Sequence, residues 1–343
     1  MKKLLNNLYV FREDLYLARE GESIVIREEG KIVARYPIHL FEGIYAFNYQ
    51  GASPELMRLC MENGVFLAFF TPQGRLCGRV MGTTHGNVLL RRAQYAYADA
   101  QESLECVRAI VYAKIYNSIR ILRRHAHDHS DLPDIPKITN AIAMMRCALD
   151  ASKEANDKDS LRGIEGIAAR DYFGVWDALI LRNKESFDFR GRSKRPPMDR
   201  PNAVLSFLYS ILSAETASAL EGVGLDSYVG FFHTERPGRH SLALDLVEEL
   251  RAFVVDRLVL REINLGSLTE KDFEIKENGA TLLNDKGRRH ILDAWNTRRH
   301  ETIRHPFLEE TVEIGLLPHI QAQLMARMLR GDLESYPPFL IKE

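Results

Sequence analysis

The apolar residues of this chain change their spacing at about residue 87, and this change restricts the folds open to it. Up to about Val80, short runs of β-branched and aromatic residues alternate with polar turns, a pattern typical of strands. From about Asn87, apolar residues recur every three to four positions over stretches without proline, which predicts long helices. We therefore expect an α+β protein, with a small β-rich domain over residues 1–85 and a large all-α domain over residues 86–343.

Turn and capping residues give the predicted domains their detail. Two glycine-containing polar turns at residues 20–22 and 28–30 separate three strand-like runs, which predicts a meander. Ser53 followed by Pro54 predicts the start of a short helix. A strand, a turn at residues 71–74 and a last strand would complete the first domain. In the second domain we expect helices over residues 89–124, 138–152, 164–181 and 203–220, with an exposed, mobile loop over residues 190–201.

Composition excludes several classes of protein. Hydrophobic residues make up 45% of the chain and charged residues 27%, which is the balance of a protein with a sizeable apolar core. No apolar run approaches the roughly 20 residues that a membrane helix needs, so we expect no membrane association. Arg12 and its acidic neighbours interrupt any signal peptide, and the four cysteines form no CxxC pair. These features predict a cytoplasmic protein.

Positive charge is concentrated in two segments of a chain whose net charge is −1. Residues 184–200 carry six basic and three acidic side chains, and a second group of arginines lies between residues 288 and 304. A DNA-binding function would have to use such local charge. The ordinary alternative for either segment is a solvated surface.

Glu165 lies among small and apolar residues near the start of a predicted helix that looks largely buried. A buried carboxylate needs a cation beside it, because the charged form is costly in an apolar interior. That cation is either a metal or a side chain, and Arg162 and Arg170 are the nearby candidates for a structural ion pair.

A second group of candidate residues surrounds His233, which ends an apolar run. A turn with Pro237 and Gly238 follows, and Ser241 could cap a new helix. Asp245 and Glu248 are three residues apart and therefore share a face of that helix. One imidazole with carboxylates suits Mg²⁺ or Mn²⁺ better than zinc.

The neighbouring arginines Arg236 and Arg239 could hold phosphate oxygens beside such a metal. The structural alternative for His233 is a hydrogen-bonded core histidine.

Two further groups are weaker candidates. His125, His127 and His129 alternate before a proline-containing loop and are expected to form a solvated helix end rather than a transition-metal site. Residues 298–306 are rich in arginine and histidine, and DNA or partner contacts compete there with a plain surface. The chain contains none of the common nucleotide-binding or hydrolase motifs.

Four blocks of sequence together resemble the Cas-one family, the integrases of CRISPR spacer acquisition, and specifically its I-C-like branch. The first block is Gly-Ile-Glu-Gly-Ile-Ala-Ala-Arg-Asp-Tyr-Phe at residues 163–173, and the others are residues 192–207, 230–248 and 321–339. The resemblance spans nearly the whole chain. It implies that Glu165, His233 and Glu248 are metal ligands, with Asp245 as an acidic catalytic residue beside them, and it implies the same fold.

The resemblance also implies a function and partners. The expected reaction is the metal-dependent insertion of short DNA fragments into a CRISPR array by transesterification, with Arg192, Lys194, Arg195, Arg236 and Arg239 on the DNA. A homodimer is implied, two copies of which flank a dimer of a small ferredoxin-like subunit in a heterohexamer on double-stranded DNA. The I-C branch adds an iron–sulfur nuclease.

Two other functions remain open on sequence grounds. A hydrolytic metallonuclease for branched or single-stranded DNA would use the same ligands with water as the nucleophile. A non-catalytic architectural subunit would bind DNA and use the acids in ion pairs only.

Overall fold

A computed structural model describes residues 6–48, 50–71, 76–82 and 88–342 of the chain. Its N-terminal part is β-rich, as the alternating pattern predicts. The elements are β1 (Asn7–Val10), β2 (Leu15–Glu20), β3 (Ser23–Glu28), β4 (Lys31–Pro37), β5 (Gly43–Ala46), α1 (Pro54–Asn63), β6 (Phe66–Phe70) and β7 (Leu76–Val80).

These strands form two sheets. Strands β2, β3 and β4 make the predicted antiparallel meander. The other sheet has the order β1-β5-β6-β7, in which β1, β5 and β6 are parallel and β7 is antiparallel. Most of the predicted turn at residues 71–74, and the predicted domain boundary at residue 85, lie outside the described residues.

The four-stranded sheet joins the two domains because its side chains alternate between its faces. Ile44 and Leu67 point into a small core beneath α1. Tyr45 and Phe47 point the other way, into the core of the helical domain. There the ring of Phe47 lies 6.0 Å from that of Phe207. Both faces of this sheet are therefore buried.

The rest of the chain is mostly helical, which confirms the predicted fold class. Its helices are α2 (Val88–Asp99), α3 (Ser103–Asp128), α4 (Ile135–Glu154), α5 (Lys158–Gly174), α6 (Arg200–Gly222), α7 (Ser241–Arg251), α8 (Arg257–Leu265), α9 (Asp285–His300) and α10 (Leu317–Leu329). Two short hairpins, β8 (Phe273–Ile275) with β9 (Thr281–Leu283) and β10 (Thr302–Arg304) with β11 (Thr311–Glu313), make this domain less than all-α.

Side-chain caps fix where several helices begin. Ser53 accepts a hydrogen bond from the Leu56 amide, which confirms the predicted cap of α1. Asp157 and Asp199 cap α5 and α6 in the same way. The predicted cap at Ser241 is wrong, because Ser241 is the first residue of α7 and its hydroxyl donates to the Thr234 carbonyl.

Helix α6 is mostly apolar, and most of its residues are buried. By length and composition it could cross a membrane, but 61% of its most apolar window is buried inside the protein. Its buried residues belong to the large hydrophobic core. Its apolar character therefore has an ordinary explanation as a core helix.

Helix α3 packs against α4, α5 and α7, and so brings three separate parts of the chain to one place. Directly after α7, the backbone forms a π-helical turn over Ala252–Asp256 before α8. Such turns insert a residue into a helix and are common at functional sites. All five residues of this turn are buried.

Candidate metal and nucleic-acid site

The three predicted metal ligands converge although they come from different elements. Glu165 lies on α5, Glu248 on α7 and His233 in the loop before α7. His233 Nε2 is 3.9 Å from Glu248 Oε1. Between the two glutamates lies the ammonium of Lys114 from α3, which contacts Glu165 Oε1 and lies 2.5 Å from Glu248 Oε2.

The environment of Glu165 differs from the expectation in two ways. The residue is in the middle of α5, and that helix buries only Leu161, Ala168 and Tyr172. A structural ion pair with Arg162 or Arg170 is not formed: Arg162 contacts Asp159 and the Phe232 carbonyl, and Arg170 contacts Asp171. Glu165 instead turns toward α3, where Lys114 is its partner.

Asp245 organises the loop that carries His233. It is fully buried, and its two oxygens accept hydrogen bonds from the amides of Phe231, Phe232 and His233 at 2.7–3.0 Å. The ring Nδ1 of His233 lies 2.7 Å from Asp245 Oδ1. Because a carboxylate only accepts, Nδ1 carries a proton, and in the neutral ring Nε2 presents its lone pair toward Glu248.

Glu248 is held as a carboxylate by the positive charges around it. Burial alone would raise its pKa, but Lys114, then Arg251 and then His233 overcome that effect and hold the pKa well below its ordinary value. Arg251 Nη1 lies 3.2 Å from Glu248 Oε2, and its guanidinium stacks over the ring of Tyr209 at 4.3 Å. This stacking fixes the arginine beside the site.

Asp256, in the π-helical turn, supports the site from behind. It is buried and accepts hydrogen bonds from the hydroxyls of Tyr172 on α5 and Tyr209 on α6. Burial raises the pKa of Asp256, with Arg251 acting in the opposite direction. Tyr172 follows Glu165 by seven residues, or about two turns of α5, so Asp256 anchors the ligand-bearing face of that helix.

The donor set fits Mg²⁺ or Mn²⁺ in kind, because two carboxylates and one neutral imidazole nitrogen are ligands that these ions accept. The side chains of Glu165, His233 and Glu248 do not surround a single position that a metal ion could occupy. Over the described residues, no group of three or more histidine, cysteine, aspartate or glutamate side chains is placed to hold a metal ion. Lys114 fills the space between Glu165 and Glu248 instead.

The loop before α6 brings basic residues over this site. Lys194 is exposed to solvent at its surface. Its pKa is lowered by partial burial and then by the charge of Arg251, whereas Glu248 acts in the opposite direction. Partial burial, Arg236 and Arg195 lower the pKa of Arg239, whereas Asp245 opposes them. Lys194, before α6, is therefore within electrostatic range of Glu248, and Arg239, before α7, is within electrostatic range of Asp245.

Arg192 differs from the other predicted DNA contacts because it points inward. Its guanidinium contacts Asn202 Oδ1 at 2.5 Å and Ser206 Oγ at 3.1 Å, and it lies over the ring of Tyr209. Asn202 also binds the Gly191 carbonyl. The segment predicted as a loose loop is thus attached to the first turns of α6, with Arg192 as its support.

Three of the five arginines in the second basic segment are structural, whereas Arg289 and Arg304 are exposed. Arg288, Arg298 and Arg299 are buried. Arg298 contacts Glu301 and the Phe253 carbonyl, and Arg299 pairs with Glu42 of the N-terminal domain. His305 is also buried and lies 3.0 Å from Gln321 Oε1. The expectation of DNA or partner contacts at residues 298–306 is wrong for these side chains, since their partners are internal.

The histidine cluster stands at a helix end, as expected. The rings of His125 and His129 are 4.7 Å apart at the end of α3, and burial lowers the pKa of His125 to about 4. His127 is exposed beside Asp128. The cluster has no third metal ligand within the part of the chain that the structure describes.

Three residues of the site were missed by sequence reasoning: Lys114, Arg251 and Asp256. Arg251 follows Glu248 by one helical turn, a spacing that could have indicated an ion pair. Asp256 carried a weaker signal, as an acid within the apolar run 252–260. Lys114 is 51 residues from Glu165, and no local pattern connects the two.

Comparisons with known proteins identify the family. The family model for CRISPR associated protein Cas1 matches residues 8–297. A relative from Rhodospirillum rubrum, "CRISPR-associated endonuclease Cas1 2", is 45% identical over 346 residues and covers all of both chains.

Two solved structures share the fold. A "Casposase bound to integration product" has a TM-score of 0.83 at 24% identity, covering 96% of this chain and 93% of the other. A chain of a "Cas6-RT-Cas1--Cas2 complex" has a TM-score of 0.80 at 19% identity, covering 97% of this chain and 36% of the other. From the family match and the 45% identical relative, this chain belongs to the Cas1 family of CRISPR-associated endonucleases.

Proposed function

We propose that the protein is a metal-dependent DNA integrase that inserts short fragments into a CRISPR array by transesterification. The observation that carries the proposal is the convergence of Glu165, His233 and Glu248, with the basic side chains of Lys194 and Arg239 within electrostatic range of the acids. The casposase structure that shares the fold contains an integration product, which supports strand joining as the reaction.

In the reaction, the 3′-hydroxyl of the fragment attacks a repeat phosphodiester, the P–O3′ bond breaks, and the departing 3′-oxygen takes up a proton. A bound Mg²⁺ or Mn²⁺ would neutralise the scissile phosphate and stabilise the leaving oxygen. Glu165, Glu248 and His233 Nε2 would hold it. Asp245 keeps the imidazole in the required tautomer through its contact with Nδ1.

The cations beside the site position the DNA backbone. Lys194, Arg195, Arg236 and Arg239 provide charge that a protein of net charge −1 otherwise lacks. Arg192 holds their loop through Asn202 rather than touching DNA. These contacts bind phosphates and carry no sequence preference of their own.

For the assembly we propose a homodimer formed through the N-terminal domain. Strand β4 is an edge of its sheet, and its Ile32, Val33 and Tyr36 are exposed. Unpaired apolar edges of this kind favour association with another chain.

We also propose a second partner, a small ferredoxin-like subunit that joins two dimers into a heterohexamer on double-stranded DNA. A chain of a Cas6-RT-Cas1--Cas2 complex shares the fold, which supports a CRISPR-associated partner for this protein. An iron–sulfur nuclease of an I-C-like system and a cytoplasmic location complete the proposal.

The test uses a labelled duplex with a free 3′-hydroxyl, supercoiled repeat DNA and the purified protein with Mn²⁺. Joined products should form, and EDTA should abolish them. Glu165→Ala and His233→Ala should each lose joining, whereas Asp159→Ala, an exposed acid on the same helix, should retain it. Normal joining by either ligand variant would refute the site.

The same assay separates the other functions. Shortened strands without joined ones would indicate a hydrolytic nuclease for branched or single-stranded DNA. Tight DNA binding with no metal-dependent products would indicate an architectural subunit.

A further inference from the structure

Lys114 stands where the two glutamate ligands meet. The residue is in the middle of α3 and only 8% exposed. Its ammonium contacts Glu165 Oε1 and Glu248 Oε2 at the same time. One side chain of α3 thereby links α5 to α7.

The two glutamates of this arrangement are each in contact with a cation. Lys114 contacts both carboxylates, Arg251 contacts Glu248, and the ring Nδ1 of His233 lies 2.7 Å from Asp245 Oδ1. Two partly buried carboxylates repel each other when no cation lies between them. Lys114 therefore supplies the positive charge that allows the two acids to lie close together.

A divalent ion would need the same carboxylate oxygens. An ammonium donates its protons to these lone pairs, so the lysine and a metal cannot both occupy the space between Glu165 and Glu248.

A cavity beside the site could receive the ammonium of Lys114 if a metal ion displaced it. A small cavity of about 10 Å³ adjoins Lys114 and is also lined by Glu165, Ser118 and Asp256. This is roughly the room that one water molecule needs. The hydroxyl of Ser118 and the carboxylate of Asp256 offer acceptors there for an ammonium that leaves the glutamate pair.

We propose that Lys114 is the resident cation of this site: it holds Glu165 and Glu248 together before metal loading and competes with the divalent ion for them. The inference rests on the proposed metal site and adds an exchange step to it. Metal affinity is then set partly by a residue that is not a ligand.

The test is Mn²⁺ titration calorimetry on DNA-free protein, together with thermal unfolding in EDTA and in saturating Mn²⁺. An opposite charge at this range changes the proton affinity of a carboxylate about 10- to 1000-fold, so Lys114→Met should bind Mn²⁺ at least about tenfold more tightly than the unmodified protein. In EDTA its melting temperature should fall, and Mn²⁺ should restore more of it than the ion adds to the unmodified protein.

Two further variants make the result decisive. Lys137→Met removes an exposed lysine of α4, whose side chain is 75% exposed, and should change neither reading. Lys114→Arg keeps the charge and can hold both carboxylates more firmly, so it should bind Mn²⁺ more weakly and remain stable in EDTA. It decides the question if Lys114→Met does not fold.

Equal or weaker Mn²⁺ binding by Lys114→Met, or equal or tighter binding by Lys114→Arg, would overturn the role of Lys114 and leave the metal site intact. If none of the proteins binds Mn²⁺, the proposed metal site itself fails, and the exchange fails with it.

Discussion

Replacing Asp245 by asparagine tests how the loop of the site is built. The two oxygens of Asp245 accept four hydrogen bonds, three from the amides of Phe231, Phe232 and His233 and one from the His233 ring. Asparagine keeps one oxygen and puts an amide N–H₂ where the other was. In either orientation, two donors then face another donor.

The cost follows from these contacts. A hydrogen bond to a charged group contributes about 1.5–3 kcal/mol, so losing two corresponds to about 3–6 kcal/mol. Asparagine is cheaper to bury than a carboxylate, which offsets part of this loss. We expect Asp245→Asn to lower the free energy of unfolding by about 2–4 kcal/mol.

Activity should fall more than stability alone explains. If the asparagine N–H₂ faces the His233 ring, the proton moves to Nε2 and the lone pair toward Glu248 is lost. Partners that orient a ligand histidine typically affect metal affinity or activity by about 10- to 100-fold. We expect strand joining under conditions where the variant is folded to drop about 100-fold.

Urea unfolding, Mn²⁺ calorimetry and the joining assay measure these effects. Asp159→Asn, on an exposed acid of α5, serves as the control and should resemble the unmodified protein. Stability within about 0.5 kcal/mol of the unmodified protein, together with normal joining, would show that Asp245 does not organise the loop.

Three further predictions concern stability. Gly230→Ala should lower the free energy of unfolding in urea by about 1–3 kcal/mol, because a Cβ there would lie 2.8 Å from Asp245 Oδ2. Gly163→Ala, in open space on α5, should be neutral or stabilising, and equal effects of the two variants would show that Gly230 is not crowded. Burial lowers the pKa of His240 to about 4 from an ordinary 6.5, so the folded state binds the proton less readily than the unfolded chain and stability is lost as pH falls from 6.5 toward 4. His240→Asn should therefore flatten this part of a plot of the urea midpoint against pH, and an unchanged slope would contradict the prediction. Asn117→Ala removes three buried hydrogen bonds to backbone groups and should lower the free energy of unfolding by about 2–4 kcal/mol in urea titrations, whereas a change below about 0.5 kcal/mol would be incompatible with these contacts.

Local patterns in the sequence predicted the parts of the fold that depend on local physics. The meander of β2, β3 and β4 follows from alternation and tight turns. The group formed by His233, Asp245 and Glu248 follows from a short loop and a three-residue helical spacing. Parallel pairing of β1 with β5 was missed, because four-residue strands 36 positions apart leave little local signal.

Contacts between distant residues account for the remaining errors. Arg299 looked like a surface cation in the sequence, yet its partner Glu42 is 257 residues away in the other domain. Lys114 likewise meets Glu165 only because α3 packs against α5. The sequence shows which side chains are charged, but whether a charged side chain forms an ion pair inside the protein depends on tertiary packing.

Because Ala252–Asp256 forms a π-helical turn, the number of residues in this segment determines how the site is built. Deleting one residue would return the backbone to a regular α-helix and rotate every following side chain by about 100°. Asp256 would then leave Tyr172 and Tyr209, although no residue of the site had been substituted. A one-residue deletion here would therefore disturb the site through the backbone alone.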